Sequence, residues 1–286
     1  MNCRGNRYSR SHVTLNPDTD RKFWQYSMHE IGIYDYKAVI DFILQKTGVK
    51  QLSVAAHSEG TSAFFVLASQ RPEYNKKVSV FIALAPITYI QSTGPTLTTI
   101  LNLSHIIIKK LKIFDVEEFA GFNSFAKTLT DALCSQGMIG YELCFNILGS
   151  ITGFNPENIE QEFASTILGH FPAGTSLKNL IHYVHGYRHK RFVQYDYKLN
   201  NFAVYGSFNP PVYDLKKVTT KIALYAAEGD EIVKIKDVER LRIELPNVVH
   251  YQVINDKKFN HIDYMWGRNA HVVLYQSLFE LLFKFN

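Results

Sequence analysis

The stretch that most constrains this 286-residue chain runs from Gln51 to Ser69. Gln51-Leu52-Ser53-Val54-Ala55-Ala56 reads as a short strand. Thr61 to Ser69, apolar nearly all round (Phe64, Phe65, Val66, Leu67, Ala68), reads as a buried helix. Only His57-Ser58-Glu59-Gly60 lies between them. A chain that passes from strand to helix in so few residues must turn tightly, and small residues two before and two after Ser58 permit it. Such a turn holds the serine hydroxyl clear of the backbone at a helix N-terminus. There the free N–H groups and the helix dipole favour developing negative charge. A small–x–Ser–x–Gly pattern is weak alone; its strand–turn–helix setting makes it a nucleophile elbow. The bland alternative is a capping serine after a strand.

The rest of the chain fits a sheet around this unit. A helix is predicted from about Met28 to Thr47, with Ile31, Tyr34, Val39, Ile40, Phe42 and Ile43 at helical spacing and Gly48 as its left-handed end. Pro72 stops the helix after Ser58, and Val78 to Leu84 reads as a buried strand ending at Ala85-Pro86. From 90 to 212 the pattern changes to helix-like segments separated by Gly and Pro, such as Leu97 to Leu111, Val116 to Leu129 and Ser176 to Gly186, with no clear alternating strand. Strand signals return at Lys221 to Ala226 and Val248 to Ile254, with helices at Lys236 to Glu244 and Ala270 to Phe285. Strands alternating with helices predict an α/β fold whose parallel sheet is covered on both faces. Its parts would be a core at 1–89 and 213–286 and a helical insertion at 90–212.

Composition removes several classes of function. A hydrophobic share of 46% and a charged share of 20% exclude disorder as the main state. No apolar run reaches the ~18 residues of a membrane-spanning helix, and Met1 to Asn6 has no apolar segment of a secretory signal. The net charge of +5 is scattered, clustering only at Arg188, Lys190 and Arg191, which gives no footprint for nucleic acid. No phosphate loop or dinucleotide fingerprint is present, so no cofactor is expected. His182, His185 and His189 fall near one helix face, but no carboxylate or cysteine accompanies them, and no metal is assigned. Three cysteines are too few for a disulfide scaffold; Cys134 and Cys144 could close a small loop, leaving Cys3 over.

A serine nucleophile needs a base, and the base needs an orienting carboxylate, in the chain order Ser, Asp or Glu, His. Asp230, in Glu228-Gly229-Asp230, directly follows a predicted strand. His261, in Phe259-Asn260-His261-Ile262-Asp263, lies in the loop after the next one. Both fall at the strand ends where such groups converge. Glu228 and Glu231 compete with Asp230, and ten other histidines compete with His261. Asp263, two residues from His261, reads as a helix-start or loop carboxylate.

At this point the chain resembles the acid lipase family of gastric and lysosomal lipases, most closely its insect branch. The similarity spans the whole sequence. It is carried by Arg4-Gly5-Asn6, by Phe23-Trp24-Gln25-Tyr26-Ser27-Met28-His29-Glu30-Ile31-Gly32 with Tyr34-Asp35 following, and by His57-Ser58-Glu59-Gly60-Thr61. Ala83-Leu84-Ala85-Pro86, Pro172-Ala173-Gly174-Thr175-Ser176 and Asn260-His261-Ile262-Asp263 continue it in order. The resemblance implies an α/β-hydrolase with a helical cap at 90–212, hydrolysing triacylglycerol or sterol esters at a lipid–water interface. It implies Ser58 as nucleophile, Asp230 as acid, His261 as base, Glu59 as donor of one oxyanion N–H from its backbone, and Cys134–Cys144 as a disulfide. It also implies a secreted or lysosomal location. Asn102-Leu103-Ser104 is the sole glycosylation sequon. Cap residues Ile106, Ile107, Ile108, Phe114, Phe119 and Phe122 would line an acyl pocket, meet a lipid surface, or pack as plain cap core.

Three departures from the family pattern stand out. Ala56 replaces the first glycine of the elbow. Glu59 stands where glutamine is usual, and its carboxylate could oppose oxyanion charge. The family also places several core strands, and a His-Gly loop bearing the second oxyanion donor, before the Arg-Gly-Asn signature at which this chain begins. His185-Gly186 falls in the cap and does not replace that loop. The expectation is a lipase lacking its first core strands, from a truncated gene model or as a product that has lost activity. The strand Leu52 to Ala56 would lack a partner on one side, and one missing oxyanion donor costs about 10² to 10³ in rate. A second reading is a non-catalytic lipid-binding or interaction protein on the same fold.

Overall fold

The computed structural model describes residues 1–121 and 139–286. Helix α1 begins as Met28–Glu30, passes through a π-helical stretch, Ile31–Tyr36, and continues as Lys37–Thr47. Ser27 starts it with a capping box closed by Glu30, and Gly48 ends it in the left-handed region at φ 73°. Then follow β1 (Leu52–His57), α2 (Glu59–Gln70), β2 (Val78–Leu84), α3 (Pro95–Ile113), β3 (Glu118–Phe119), α4 (Ile139–Thr152), α5 (Gln161–His170), β4 (Thr175–Ser176) and α6 (Leu177–His189). The chain returns through β5 (Ile222–Ala227), α7 (Ile235–Glu244), β6 (Val248–Ile254) and α8, which opens as His271–Tyr275 and continues as Gln276–Phe285.

Four of these strands form a parallel sheet in the order β1-β2-β5-β6. Every residue of β2 and β5 is buried, as expected of central parallel strands covered on both faces. On one face α2 stacks Phe64 on Phe81 of β2, 3.8 Å between ring centres, with Phe65 edge-on to the same ring. Tyr225 pairs with Leu84, three residues on from Phe81, so it points to the opposite face, where its hydroxyl meets Ser277 of α8 at 2.8 Å. β1 is the edge strand among the described residues and is only half-buried. Two of the sequence motifs meet in the N-terminal part: the Arg4 guanidinium and backbone N–H both bind the Asp35 carboxylate, at 2.6–3.0 Å.

Among its described residues the region between β2 and β5 is mostly helical, but two expectations for it need correction. It does contain strands: β3 and β4 pair antiparallel, Glu118 with Ser176 and Phe119 with Thr175. Two residues each are too short to show alternation. The helix expected from Val116 to Leu129 is also absent at its start, where β3 lies, and its remainder from Phe122 falls outside the described residues. Cys134 lies outside them too, so the proposed pairing with Cys144 is not described.

Candidate active site

Ser58, Asp230 and His261 leave the carboxyl ends of β1, β5 and β6, the same edge of one parallel sheet. Ser58 is held at φ 54°, ψ −121°, a conformation that costs a non-glycine residue on the order of 1–3 kcal/mol. Its N–H is tied to the Leu84 carbonyl at 3.0 Å, and its own carbonyl accepts from Thr61 N–H at 2.9 Å. Gly60 makes the turn possible. A side chain there would come within 3.3 Å of both the Ala56 methyl and the Tyr36 hydroxyl, which donates to the Gly60 carbonyl at 2.8 Å. Alanine at 56 therefore fits, with nothing to spare opposite it.

The three side chains form one hydrogen-bonded chain. His261 Nδ1 lies 2.9 Å from Asp230 Oδ2, and His261 Nε2 lies 2.7 Å from Ser58 Oγ. With the imidazole proton on Nδ1, donated to Asp230, Nε2 is left to accept from the serine hydroxyl. Asp230 is 1% exposed, and its other oxygen accepts the Ile232 and Val233 N–H groups, both at 2.8 Å. The competing carboxylates lie elsewhere: Glu228 is exposed and Glu231 pairs with Lys234 at 2.7 Å. Asp263 starts the short helix Asp263–Trp266, and its carboxylate accepts from Asn260 N–H at 2.9 Å and Asn155 Nδ2 at 3.0 Å. The helix-start reading of Asp263 thus agrees with its surroundings.

Several supports had no signal in the sequence. The His57 ring donates from Nε2 to the His261 carbonyl at 2.8 Å and packs 4.7 Å from the His261 ring. Burial, then the neighbouring charge of His261, holds its pKa well below the usual value, so it stays neutral. The Thr152 carbonyl at the end of α4 accepts from both His261 N–H (3.1 Å) and Glu231 N–H (3.3 Å), binding the two loops together. Asn260 donates to the Gly153 carbonyl at 3.0 Å and accepts from Ile262 N–H at 3.0 Å. A backbone carbonyl can come from any residue, so Thr152 could not have been singled out beforehand.

Glu59 is the first residue of α2, where its N–H has no intrahelical acceptor. Its carboxyl is turned to Asn179 Nδ2, 2.6 Å away. Asn102 is exposed on α3 and its side chain accepts from the Tyr187 hydroxyl at 2.9 Å; Ser104 of the same sequon is buried. The α6 histidines have protein partners. His182 contacts Ser27 Oγ and the Val193 carbonyl, both at 2.9 Å, His185 accepts from Asp196 N–H, and His189 contacts the Asp196 carboxylate at 3.0 Å. Among the described residues no group of His, Cys, Asp or Glu is arranged to hold a metal ion, and no helix is long and apolar enough to cross a membrane.

A serine on a tight strand-to-helix turn, with a histidine and a buried carboxylate from later strand ends, defines the chain as an α/β-hydrolase. Solved structures agree on the fold. A soluble variant of monoglyceride lipase from Saccharomyces cerevisiae matches 96% of this chain and 75% of its own, with a TM-score of 0.54 and 14% identity. An acetylester hydrolase from Corynebacterium glutamicum covers 96% and 72%, with a TM-score of 0.51 and 16% identity. No family model matches the sequence. Curated relatives do: it is 37% identical to Lipase 1 of Drosophila melanogaster over 99% of this chain, which spans 63% of that protein's length. It is 31% identical to human Lipase member K and 32% identical to human lysosomal acid lipase/cholesteryl ester hydrolase, spanning 69% and 70% of their lengths. The chain belongs to the acid lipase family.

Proposed function

We propose that this chain carries the catalytic site of a serine ester hydrolase acting on triacylglycerol or sterol esters. The observation that carries the reading is the continuous Ser58–His261–Asp230 hydrogen-bond chain at one sheet edge. His261 takes the proton of Ser58 as the hydroxyl oxygen attacks the ester carbonyl, and Asp230 steadies the imidazolium that forms. The backbone N–H of Glu59, free at the start of α2, would donate to the oxyanion. His261 then protonates the departing alcohol, and water activated by the same imidazole releases the fatty acid from Ser58. A neutral His57 suits this cycle, since a second positive ring 4.7 Å away would oppose the imidazolium.

Residues 90–212 form the cap in this reading, on a core of 1–89 and 213–286. α3 packs Leu101, with Leu97 and Ile108, against Val184 of α6, while Ile100, Leu103, Ile106, Ile107, Ile113 and Phe114 stay exposed. Lys109, Lys110 and Lys112 follow on the same helix. An apolar stripe beside lysines suits a lipid–water interface, whereas core packing accounts for Ile108 alone among the α3 residues Ile106, Ile107 and Ile108. The names of the relatives favour a secreted or lysosomal location.

The test is hydrolysis of emulsified triacylglycerol and cholesteryl ester by the purified chain. Replacing Ser58 by Ala lowers the rate by about 10⁴-fold or more with an unchanged circular dichroism spectrum. Lipid binding without turnover by the wild type would favour the non-catalytic reading.

A further inference from the structure

The acyl transfer proposed above breaks one of the hydrogen bonds that hold its own base. While Ser58 is free, its hydroxyl bonds to His261 Nε2 at 2.7 Å. Once the serine oxygen carries the acyl group it has no proton to donate, and that bond is lost. His261 must still stay in place, because the same Nε2 then takes a proton from the incoming water. What holds the base at that stage has to come from elsewhere.

Other hydrogen bonds reach His261. Asp230 accepts from Nδ1 at 2.9 Å, on the far side of the ring. The backbone N–H donates to the Thr152 carbonyl at 3.1 Å. The backbone carbonyl accepts from His57 Nε2 at 2.8 Å. A carbonyl only accepts, so the His57 proton sits on Nε2 and the direction of this bond is fixed. Of these bonds, the one from His57 starts at the nucleophile's own strand end. His57 is the last residue of β1 and is joined directly to Ser58. Ser58 and His261 are thus linked twice, once between side chains and again through His57 to the His261 backbone. The second link does not involve Ser58 Oγ, so acylation leaves it intact. The His57 ring is itself held, 4.7 Å from the ring of His261 and 5.7 Å from the fully buried ring of Tyr264. Tyr264 stands edge-on to Phe259, 5.0 Å between ring centres, so the loop from Phe259 to Tyr264 packs as one piece against the end of β1.

We propose that His57 is a positioning residue that keeps His261 in place at the acyl-enzyme, when Ser58 no longer can, and so serves deacylation more than acylation. The proposal rests on the reading of Ser58 as nucleophile. In deacylation, water adds to the acyl carbonyl carbon while His261 Nε2 takes its proton. The tetrahedral adduct then expels the Ser58 oxygen, which takes that proton from Nε2, and the fatty acid leaves. His57 exchanges no proton in these steps; it fixes where Nε2 stands when the water approaches.

The experiment follows hydrolysis of p-nitrophenyl butyrate by stopped flow in the wild type, His57→Phe and His57→Gln. Phenylalanine keeps a ring against His261 and Tyr264 and removes the donor. Glutamine carries an N–H donor the same number of bonds from Cβ as histidine Nε2. In His57→Phe the deacylation rate falls about 10- to 100-fold and acylation falls less, so p-nitrophenol appears in a burst before a slow steady phase. His57→Gln recovers most of the steady rate. A variant that merely folded less well would lose burst amplitude and steady rate in the same proportion. That result, equal falls in acylation and deacylation, or a Gln variant no faster than the Phe variant, overturns the proposal and leaves the nucleophile standing. A wild type with no turnover and no phosphonyl adduct on Ser58 after fluorophosphonate treatment overturns the reading of the site, and the proposal with it.

Discussion

The sheet and the helical region between β2 and β5 contribute to the site in different ways. The sheet supplies the three side chains of the proposed catalytic chain: Ser58, Asp230 and His261 lie in the segments that follow strand ends. The helical region supplies the fastenings. Thr152 of α4 joins the Asp230 and His261 loops, Asn179 of α6 holds Glu59, and β4 gives Ser176 to cap α6. The sheet buries β2 and β5 completely, whereas α3 leaves a row of isoleucines in water. In the proposed reading the reacting groups belong to the sheet, and the surrounding helices hold them in line and present the apolar surface.

Substitutions separate these contributions. The largest effect after loss of Ser58 belongs to Asp230→Asn, on the sheet side. An amide there forces the wrong His261 tautomer, so kcat falls about 10⁴-fold while KM changes little. Steady-state kinetics on a soluble ester checks this. Asn260→Ala probes the fastenings: it strips the partner from the buried Ile262 N–H and from the Gly153 carbonyl. A loss of about 1–3 kcal/mol in unfolding free energy follows, read by denaturant titration, with a smaller fall in kcat. The smallest effect on stability is expected for Ile106→Ser with Ile107→Ser, both exposed on α3. Stability stays within about 0.5 kcal/mol per site, and hydrolysis of a soluble ester is kept, while hydrolysis of emulsified lipid drops. Equal losses on both substrates would assign these residues to core packing.

Much of the sheet side was legible in the sequence because its signals are local. β5 is a continuous apolar run and β2 one broken only by Ser79, Gly48 and Pro72 mark helix ends, and the elbow announces itself by two small residues around Ser58. Asp230 and His261 followed from chain order and position after strands. The fastenings were not legible. Glu59 meets Asn179 across 120 residues, and Thr152 acts through its carbonyl. Two-residue strands such as β3 and β4 carry no period, and the π-helical stretches at Ile31–Tyr36 and His271–Tyr275 keep an apolar pattern that an α-helix would also show. The environment of the Glu59 carboxyl was equally hidden: the sequence placed it beside the nucleophile, and only the fold turns it to Asn179.

The central claim is that Ser58 is the nucleophile activated by His261. The most direct measurement is peptide mapping by mass spectrometry after exposure of the native chain to a fluorophosphonate probe. The account predicts a single phosphonyl adduct on Ser58, absent from heat-denatured protein and from the His261→Ala variant. An adduct on a different serine, or labelling that persists in Ser58→Ala, would contradict it.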